Sequence, residues 1–155
     1  MQGKKYISVS DRTVVQRHGW LLALKIDDHD PELTIGSRCA IGDFCHIAAV
    51  RKVIIQDKVL IANKVYIADN THQFTDVNLP VLDQPIQYAK EVVISTGAWI
   101  GENVCIMGAS VGKNSIVGAN SVVTKDIPDY CVAVGSPARI IKKFDFTTNM
   151  WQSVS

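Results

Sequence analysis

Aliphatic residues recur every six positions through most of the chain. They form four sets of three: Ile35, Ile41 and Ile47; Ile55, Ile61 and Ile67; Ile94, Ile100 and Ile106; and Val111, Val117 and Val123. A period of six matches neither the 3.6 residues of a helical turn nor the two-residue alternation of a strand. It is typical of a solenoid with triangular coils, in which three short strands make one turn of about 18 residues. Each aliphatic side chain then points inward and stacks on its equivalents in neighbouring coils.

A small residue follows most of the repeating aliphatic residues, as in Ile35-Gly36, Ile61-Ala62 and Val117-Gly118. We expect this residue to let the backbone bend at a corner of the coil. A parallel α/β sheet is the alternative, but its crossovers need a dozen or more residues and steps of six leave no room for them. The sequence therefore predicts an all-β fold, a parallel β-helix shaped as a triangular prism.

Three steps of the repeat have unusual lengths. They are eight residues from Ile47 to Ile55, five from Ile106 to Val111, and 27 from Ile67 to Ile94. The first places two extra residues at a corner, and the second removes one. The third leaves a long loop over roughly residues 73–91, and a long loop that leaves a compact solenoid usually carries function.

We interpret the whole chain, 1–155, as a single domain with one β-helical body. The predicted segments are an irregular N-terminal coil or cap over 1–30, hexapeptide coils over 33–72 and 92–126, the loop over 73–91, and a C-terminal extension over 127–155. Within the extension, residues 138–144 are expected to form a short basic helix or strand along the side of the prism.

The amino-acid composition argues against several classes of protein. The 155 residues are 47% hydrophobic and 20% charged, with a net charge of +1, which argues against a nucleic-acid-binding protein. The apolar run Trp20–Leu24 is far shorter than the roughly 20 residues that span a bilayer. It also lacks the layout of a signal peptide, so we expect a cytoplasmic protein without a transmembrane segment. The four cysteines form no CxxC pair, and we expect reduced core residues rather than a metal site.

Two regions carry a resemblance to a known family. One is IADNTH at 67–72, and the other is WIGEN at 99–103, followed by IVGANSVVTKDIP at 116–128 and GSPAR at 135–139. Over about residues 33–143, the chain resembles the hexapeptide-repeat acyltransferases, most closely the galactoside, maltose and polysaccharide O-acetyltransferases. The resemblance implies a left-handed coil, an exception to the usual right-handed crossover. It also implies acetyl-CoA as co-substrate and a homotrimer with active sites between adjacent chains.

His72 is the candidate general base among four histidines. It closes a hexad where the long loop begins, and it matches the catalytic histidine of the resembling family. A sugar hydroxyl is a poor nucleophile at neutral pH, and a positioned base accelerates its attack by about 10²- to 10⁴-fold. Asp69, Asp76 or a backbone carbonyl could orient the ring, and the sequence does not choose among them.

The resemblance also implies six positions that contact the coenzyme. They match Glu102, Ala119, Thr124, Lys125, Arg139 and Lys142. Ala119 would let the backbone approach the ligand closely, and the cationic side chains suit its phosphates. Acceptor contacts are expected from Asp69, Phe74, Tyr88 and Trp99. Trp99 either forms a wall of the site beside His72 or packs against the prism.

These observations predict an acetyl-CoA-dependent O-acetyltransferase that acts on a sugar hydroxyl in cell-surface polysaccharide synthesis. The alternatives are an N-acetyltransferase of an amino sugar, a xenobiotic acetyltransferase on the same fold, and a non-catalytic β-helix scaffold. A carbonic anhydrase of this fold needs three histidines on zinc, and its pair of histidines five residues apart is missing here.

Overall fold

In a computed structural model, described for residues 1–154, the chain is built almost entirely of short strands. Two 3₁₀ helices interrupt them, Lys4–Tyr6 and Val81–Asp83. The strands are β1 (Ile7–Val9), β2 (Val14–Val15), β3 (Trp20–Ala23), β4 (Glu32–Ile35), β5 (Ala40–Ile41), β6 (His46–Ala49), β7 (Lys52–Ile55), β8 (Leu60–Ile61), β9 (Tyr66–Ala68), β10 (Asn70–His72), β11 (Ile86–Tyr88), β12 (Val92–Ile94), β13 (Trp99–Ile100), β14 (Cys105–Met107), β15 (Ile116–Val117), β16 (Val122–Val123), β17 (Cys131–Val134), β18 (Arg139–Asp145) and β19 (Met150–Ser153).

The strands form the three faces of a prism. The first face has the order β1-β4-β7-β12, the second β2-β5-β8-β13-β15-β17, and the third β3-β6-β9-β14-β16. Every neighbouring pair within these sets is parallel. The chain passes from the first face to the second to the third and back again, so three edges separate the faces. We name each edge by the faces it joins, for example the third–first edge.

The repeating aliphatic residues form the core, as the sequence predicts. On the third face, Ile47, Ile67 and Ile106 stand opposite one another in consecutive coils, and each is fully buried. The same stacking holds on the first face for Ile35, Ile55 and Ile94. Burying each such side chain contributes roughly 1.5–3 kcal/mol, and the column continues from coil to coil without a break.

The corners differ from the prediction in one respect. The left-handed backbone lies three residues after an inward aliphatic residue, as at Arg38, Phe44 and Asn103, whose φ values are between 56° and 59°. The small residue after the aliphatic one instead allows the backbones of adjacent coils to lie close together. A methyl group added at Gly101 would lie 2.7 Å from the amide nitrogen of Ala119 in the next coil.

All three irregular steps of the repeat fall on the third–first edge. Residues 50–51, 69–91 and 108–110 each join a strand of the third face to the first face. Residues 24–31 and 124–126 make the same passage in the first and last coils. The departures from six-residue spacing therefore all lie on one edge of the prism.

Of the coil or cap expected at the N-terminal end, the structure has the coil, whereas at the C-terminal end the coils run further than predicted. Residues 1–30 supply a complete first coil, with one strand on each face. The coils continue past residue 126 to Val134, so the extension begins later than predicted. Of the helix or strand expected over 138–144, the structure has the strand: β18 pairs antiparallel with β17. The last parallel strand leaves an open edge that β18 covers, while Ala138 and Ile140 pack on the end of the core.

Three of the four free cysteines, Cys39, Cys45 and Cys131, are buried. Within residues 1–154, no helix has the length and apolar character needed to cross a membrane.

Candidate active site

His72 lies on a hairpin that projects from the third–first edge. It ends β10, which pairs antiparallel with β11, and it stands opposite Ile86. The next amide, of Gln73, donates to the carbonyl oxygen of Pro85 at 3.0 Å. The side chain of His72 is exposed, and within residues 1–154 its ring makes no hydrogen bond. The backbone of His72 is therefore held by the hairpin, while both nitrogens of its ring are free to bind a substrate.

Asp69 lies at the root of this hairpin and is fully buried. Its carboxylate accepts the backbone N–H groups of Val50, Arg51 and Lys52 at 2.7 to 2.8 Å. It also accepts a hydrogen bond from Nδ2 of Asn70 at 2.9 Å. This burial rules out the acceptor contact predicted for Asp69, and none of these bonds reaches the ring of His72. Asp69 therefore does not orient the imidazole by direct contact.

Gln84 orders the outer part of the hairpin from inside. Its Nε2 donates to the carbonyl oxygens of Asp76 at 2.9 Å and Leu79 at 3.0 Å, while its Oε1 accepts the N–H of Asp76 at 3.2 Å. The carboxylate of Asp76, the other predicted orienter, accepts the N–H of Asn78. Phe74, a predicted acceptor contact, is 70% exposed beside His72 in sequence.

Tyr88 is held at the base of the same hairpin. The guanidinium carbon of Arg51 lies 5.0 Å from the centroid of its ring, within the range of a cation–π contact. Arg51 is in turn paired with Asp27, with Nη2 and Oδ2 2.6 Å apart. The backbone N–H of His29 and the Arg51 guanidinium lower the pKa of Asp27 to about 2. Tyr88 thus packs against the inserted corner and stays close to Asn70, its partner in register.

The other three histidines have structural partners. His18 stacks on Phe44 with ring centroids 4.9 Å apart, and His46 stacks on Trp20 at 4.3 Å. Nδ1 of His29 lies 3.0 Å from Oδ1 of Asp27. His72 differs from all three because its exposed ring has no partner among residues 1–154.

Lys125 and Arg139 both line a surface cleft of about 330 Å³. Asp126 also lines the cleft, but its carboxylate forms an ion pair with Lys90. The hydrogen bond from Lys90, and then the N–H of Ser110, lower the pKa of Asp126. Because this negative charge is already paired, Lys125 and Arg139 give the cleft a net positive character that suits a phosphate. Thr124 is exposed directly before Lys125.

Glu102 and Ala119 lie together on a different edge, the second–third edge, in consecutive coils. Oε2 of Glu102 accepts the backbone N–H of Asn63 at 3.1 Å, and its carbonyl oxygen accepts the N–H of Asn120 at 2.9 Å. Its side chain therefore supports the corner of the coil. Ala119 is exposed, and its small size leaves the surface beside it open.

Within one copy of the protein, Trp99 lies far from His72. It faces outward on the second face, 48% exposed, and the second face is opposite the third–first edge. In its row, Ile116, Val132 and Lys142 follow on successive strands. A β-bulge at Ile141 places Lys142 on the outer side of this face. The predicted site residues thus divide between two sides of the prism.

No group of three or more His, Cys, Asp or Glu residues in the described part of the chain is arranged to hold a metal ion.

Comparisons with known proteins agree with this architecture. WbbJ of Escherichia coli (strain K12), which is named as an O-acetyl transferase of lipopolysaccharide biosynthesis, is 38% identical over 120 residues. That match covers 72% of this chain and 61% of WbbJ, so the chain spans less than two thirds of that relative's length. A galactoside acetyltransferase solved in complex with coenzyme A superposes with a TM-score of 0.75 at 28% identity. The superposition covers 92% of this chain and 68% of the enzyme.

A hexapeptide-repeat acetyltransferase of Vibrio cholerae O1 biovar eltor, solved with acetyl coenzyme A, matches in fold with a TM-score of 0.67 at 24% identity. That match covers 92% of this chain and 74% of the enzyme. No protein-family model matches the chain. The fold is the left-handed parallel β-helix that the resemblance implies. These matches confirm the resemblance to the hexapeptide-repeat acyltransferases, in sequence over 120 residues and in fold over most of the chain.

Sequence reasoning named Asp69 only in other roles, and it missed Gln84 and Lys90 on the hairpin that carries His72. Asp69, Gln84 and Lys90 act through backbone groups or through other side chains, which no motif displays. One signal was available for Arg51: the eight-residue step from Ile47 to Ile55 lies one coil before the long loop and on the same edge.

Proposed function

We propose that the protein is an acetyl-CoA-dependent O-acetyltransferase in which His72 is the general base for attack by a sugar hydroxyl. The observation that carries this proposal is the exposed, unpartnered ring of His72 on a hairpin strand fixed to the edge of the prism. The names of the relatives support the donor and the class of acceptor. WbbJ is named for lipopolysaccharide biosynthesis, and the galactoside acetyltransferase was solved with coenzyme A.

The reaction needs one proton to move twice. The neutral imidazole of His72 takes the hydroxyl proton while the oxygen attacks the thioester carbonyl, giving a tetrahedral oxyanion. The carbonyl then re-forms as the carbon–sulfur bond breaks, and the imidazolium returns the proton to the departing sulfur. Free coenzyme A and an acetyl ester result. His72 suits this step because no group in the described part of the chain forms a hydrogen bond with its ring.

We propose that the coenzyme phosphates bind in the cleft between Lys125 and Arg139. Both side chains are exposed and converge on one surface, and Asp126 is neutralised there by Lys90. Thr124 directly precedes Lys125, whereas Lys142 lies on the outer side of the second face, in the row of Trp99. Glu102 and Ala119 lie on the second–third edge, where they would contact the coenzyme of an adjacent chain.

A homotrimer with sites between adjacent chains explains why the predicted residues divide between two sides of the prism. The second face carries an outward apolar row, listed from coil to coil as Val14, Ala40, Leu60, Trp99, Ile116 and Val132. Val14, Leu60 and Trp99 are each about half exposed. A continuous exposed apolar row marks a surface for protein contact. We propose that it packs beside the His72 hairpin of a second copy, in the cytoplasm where acetyl-CoA is available.

A coupled assay tests the activity. Release of free thiol from acetyl-CoA is measured with monosaccharides, oligosaccharides and amino sugars as acceptors. Each product is then treated with hydroxylamine, which cleaves an acetyl ester but does not cleave an acetyl amide. The proposal predicts acceptor-dependent thiol release with a hydroxylamine-labile product. An amide product would favour N-acetylation, and failure of the protein to bind coenzyme A would contradict acyl transfer.

A further inference from the structure

We infer that Asp69 is a positioning residue, which fixes the catalytic strand by joining three backbone segments at the root of the hairpin. This inference rests on the proposed role of His72 and names what holds that residue in place. Asp69 itself touches neither the ring nor any space open to a substrate, since it is fully buried.

The carboxylate of Asp69 fastens the hairpin to the coil before it. The two oxygens accept three consecutive N–H groups, from Val50 to Lys52, which include the two residues inserted at that corner. A tight turn that presents successive N–H groups forms a concave site for an anion. The insertion thus creates a socket, and Asp69 fills it from the next coil.

The backbone of Asp69 holds the other arm of the hairpin. Its carbonyl oxygen accepts the N–H groups of Ala89 at 2.8 Å and Lys90 at 3.3 Å. Its carboxylate also receives Nδ2 of Asn70, the first residue of β10. One residue therefore fixes the outgoing strand, the returning strand and the underlying coil, and His72 lies three residues along the outgoing strand.

At other corners of the described coils, the side chains of Asp43, Asn63 and Asp129 each accept one backbone N–H. Oδ1 of Asp57 accepts a single N–H, that of Ser37, on the first–second edge, away from the hairpin. Asp57→Asn is therefore a matched control for Asp69→Asn. In both variants an amide replaces a carboxylate that receives backbone donors, and only Asp69→Asn brings an NH₂ group against the socket beneath His72.

The test measures kcat, KM for the acceptor, coenzyme A affinity and amide hydrogen exchange in residues 70–90. We expect Asp69→Asn to lower kcat at least about tenfold, with coenzyme A affinity within about twofold of wild type and faster exchange over 70–90. Asp57→Asn should leave kcat and this exchange unchanged. Asn70→Ala, which removes one bond to the carboxylate, should show the same pattern at smaller size and keeps the test open if Asp69→Asn does not fold.

Two results overturn the inference. If His72→Ala, assayed in parallel, loses turnover but Asp69→Asn and Asn70→Ala behave like Asp57→Asn, Asp69 does not position the base. If His72→Ala keeps full turnover, the proposed function fails first, and the positioning role fails with it.

Discussion

The buried core of the prism separates Trp99, on the second face, from His72, on the opposite edge. The two residues cannot meet within one chain. Each nevertheless has exposed apolar neighbours: Trp99 lies in its outward row, and the exposed Phe74 follows two residues after His72 in sequence. An active site that uses both must be assembled from two copies.

A complementation experiment tests this arrangement. His72→Ala removes the proposed base, and Ala119→Trp obstructs the proposed coenzyme surface on the other side of the prism, where Ala119 is exposed. Each variant alone should be inactive. Co-expressed in equal amounts, they should recover about a quarter of wild-type activity, because in a closed ring one site in four receives both intact residues.

The control for that experiment places both substitutions in one chain and co-expresses it with wild type. Sites between chains and sites within a chain give different results in the first mixture. If every site lay within one chain, the mixture of the two single variants would show no recovery. Light scattering should give about three times the chain mass of 17.0 kDa.

The cationic pair in the cleft should govern affinity for the coenzyme. Lys125→Ala and Arg139→Ala should each weaken coenzyme A binding by about tenfold, since each removes a charged contact to phosphate. Neither should change the binding of pantetheine, which lacks the phosphates. Lys113→Ala, an exposed lysine on the first–second edge, is the control. If both variants weakened the binding of coenzyme A and of pantetheine equally, the phosphates would not bind in this cleft.

Two adjacent isoleucines on β7 test the core. Ile55 points inward and is fully buried, whereas Ile54 faces outward and is half-buried. Ile55→Ala should lower the free energy of unfolding by about 2–5 kcal/mol because the stacked column cannot close the cavity. Ile54→Ala should cost less than about 1 kcal/mol. Urea unfolding at fixed chain concentration measures both, and equal losses would argue against a column that packs only inward.

His46 should make stability fall in acid. Its ring lies between Trp20 and Tyr66, its Nε2 is buried without a hydrogen-bond partner among residues 1–154, and burial lowers its pKa. The unfolded chain then binds the proton more readily, so stability is lost as the pH falls through about 6.5, the ordinary histidine pKa. His46→Phe should remove this part of the loss, whereas His18→Asn should retain it. Identical pH profiles for wild type and His46→Phe would contradict the prediction.

The sequence predicts the fold well because the inward positions are strictly periodic. Ile35, Ile61 and Ile100 need only the six-residue count to be placed in the core, and all three are buried. His72 is likewise placed by its position where the count breaks. The role of Asp69 could not be predicted, since its partners are backbone N–H groups 17 to 19 residues earlier. Nor does a count of hexads show that Trp99 and His72 lie on opposite sides until the faces are assigned.

The turnover of His72→Ala on acetyl-CoA and the best saccharide acceptor tests most directly whether His72 is the general base. Coenzyme A affinity is measured on the same protein. Loss of the base should lower kcat by at least about a hundredfold and leave the affinity unchanged, because His72 acts on the proton of the acceptor. His18→Asn, which changes a stacked histidine on another edge, should keep wild-type turnover. A His72→Ala protein that transfers acetyl groups at the wild-type rate would contradict the account.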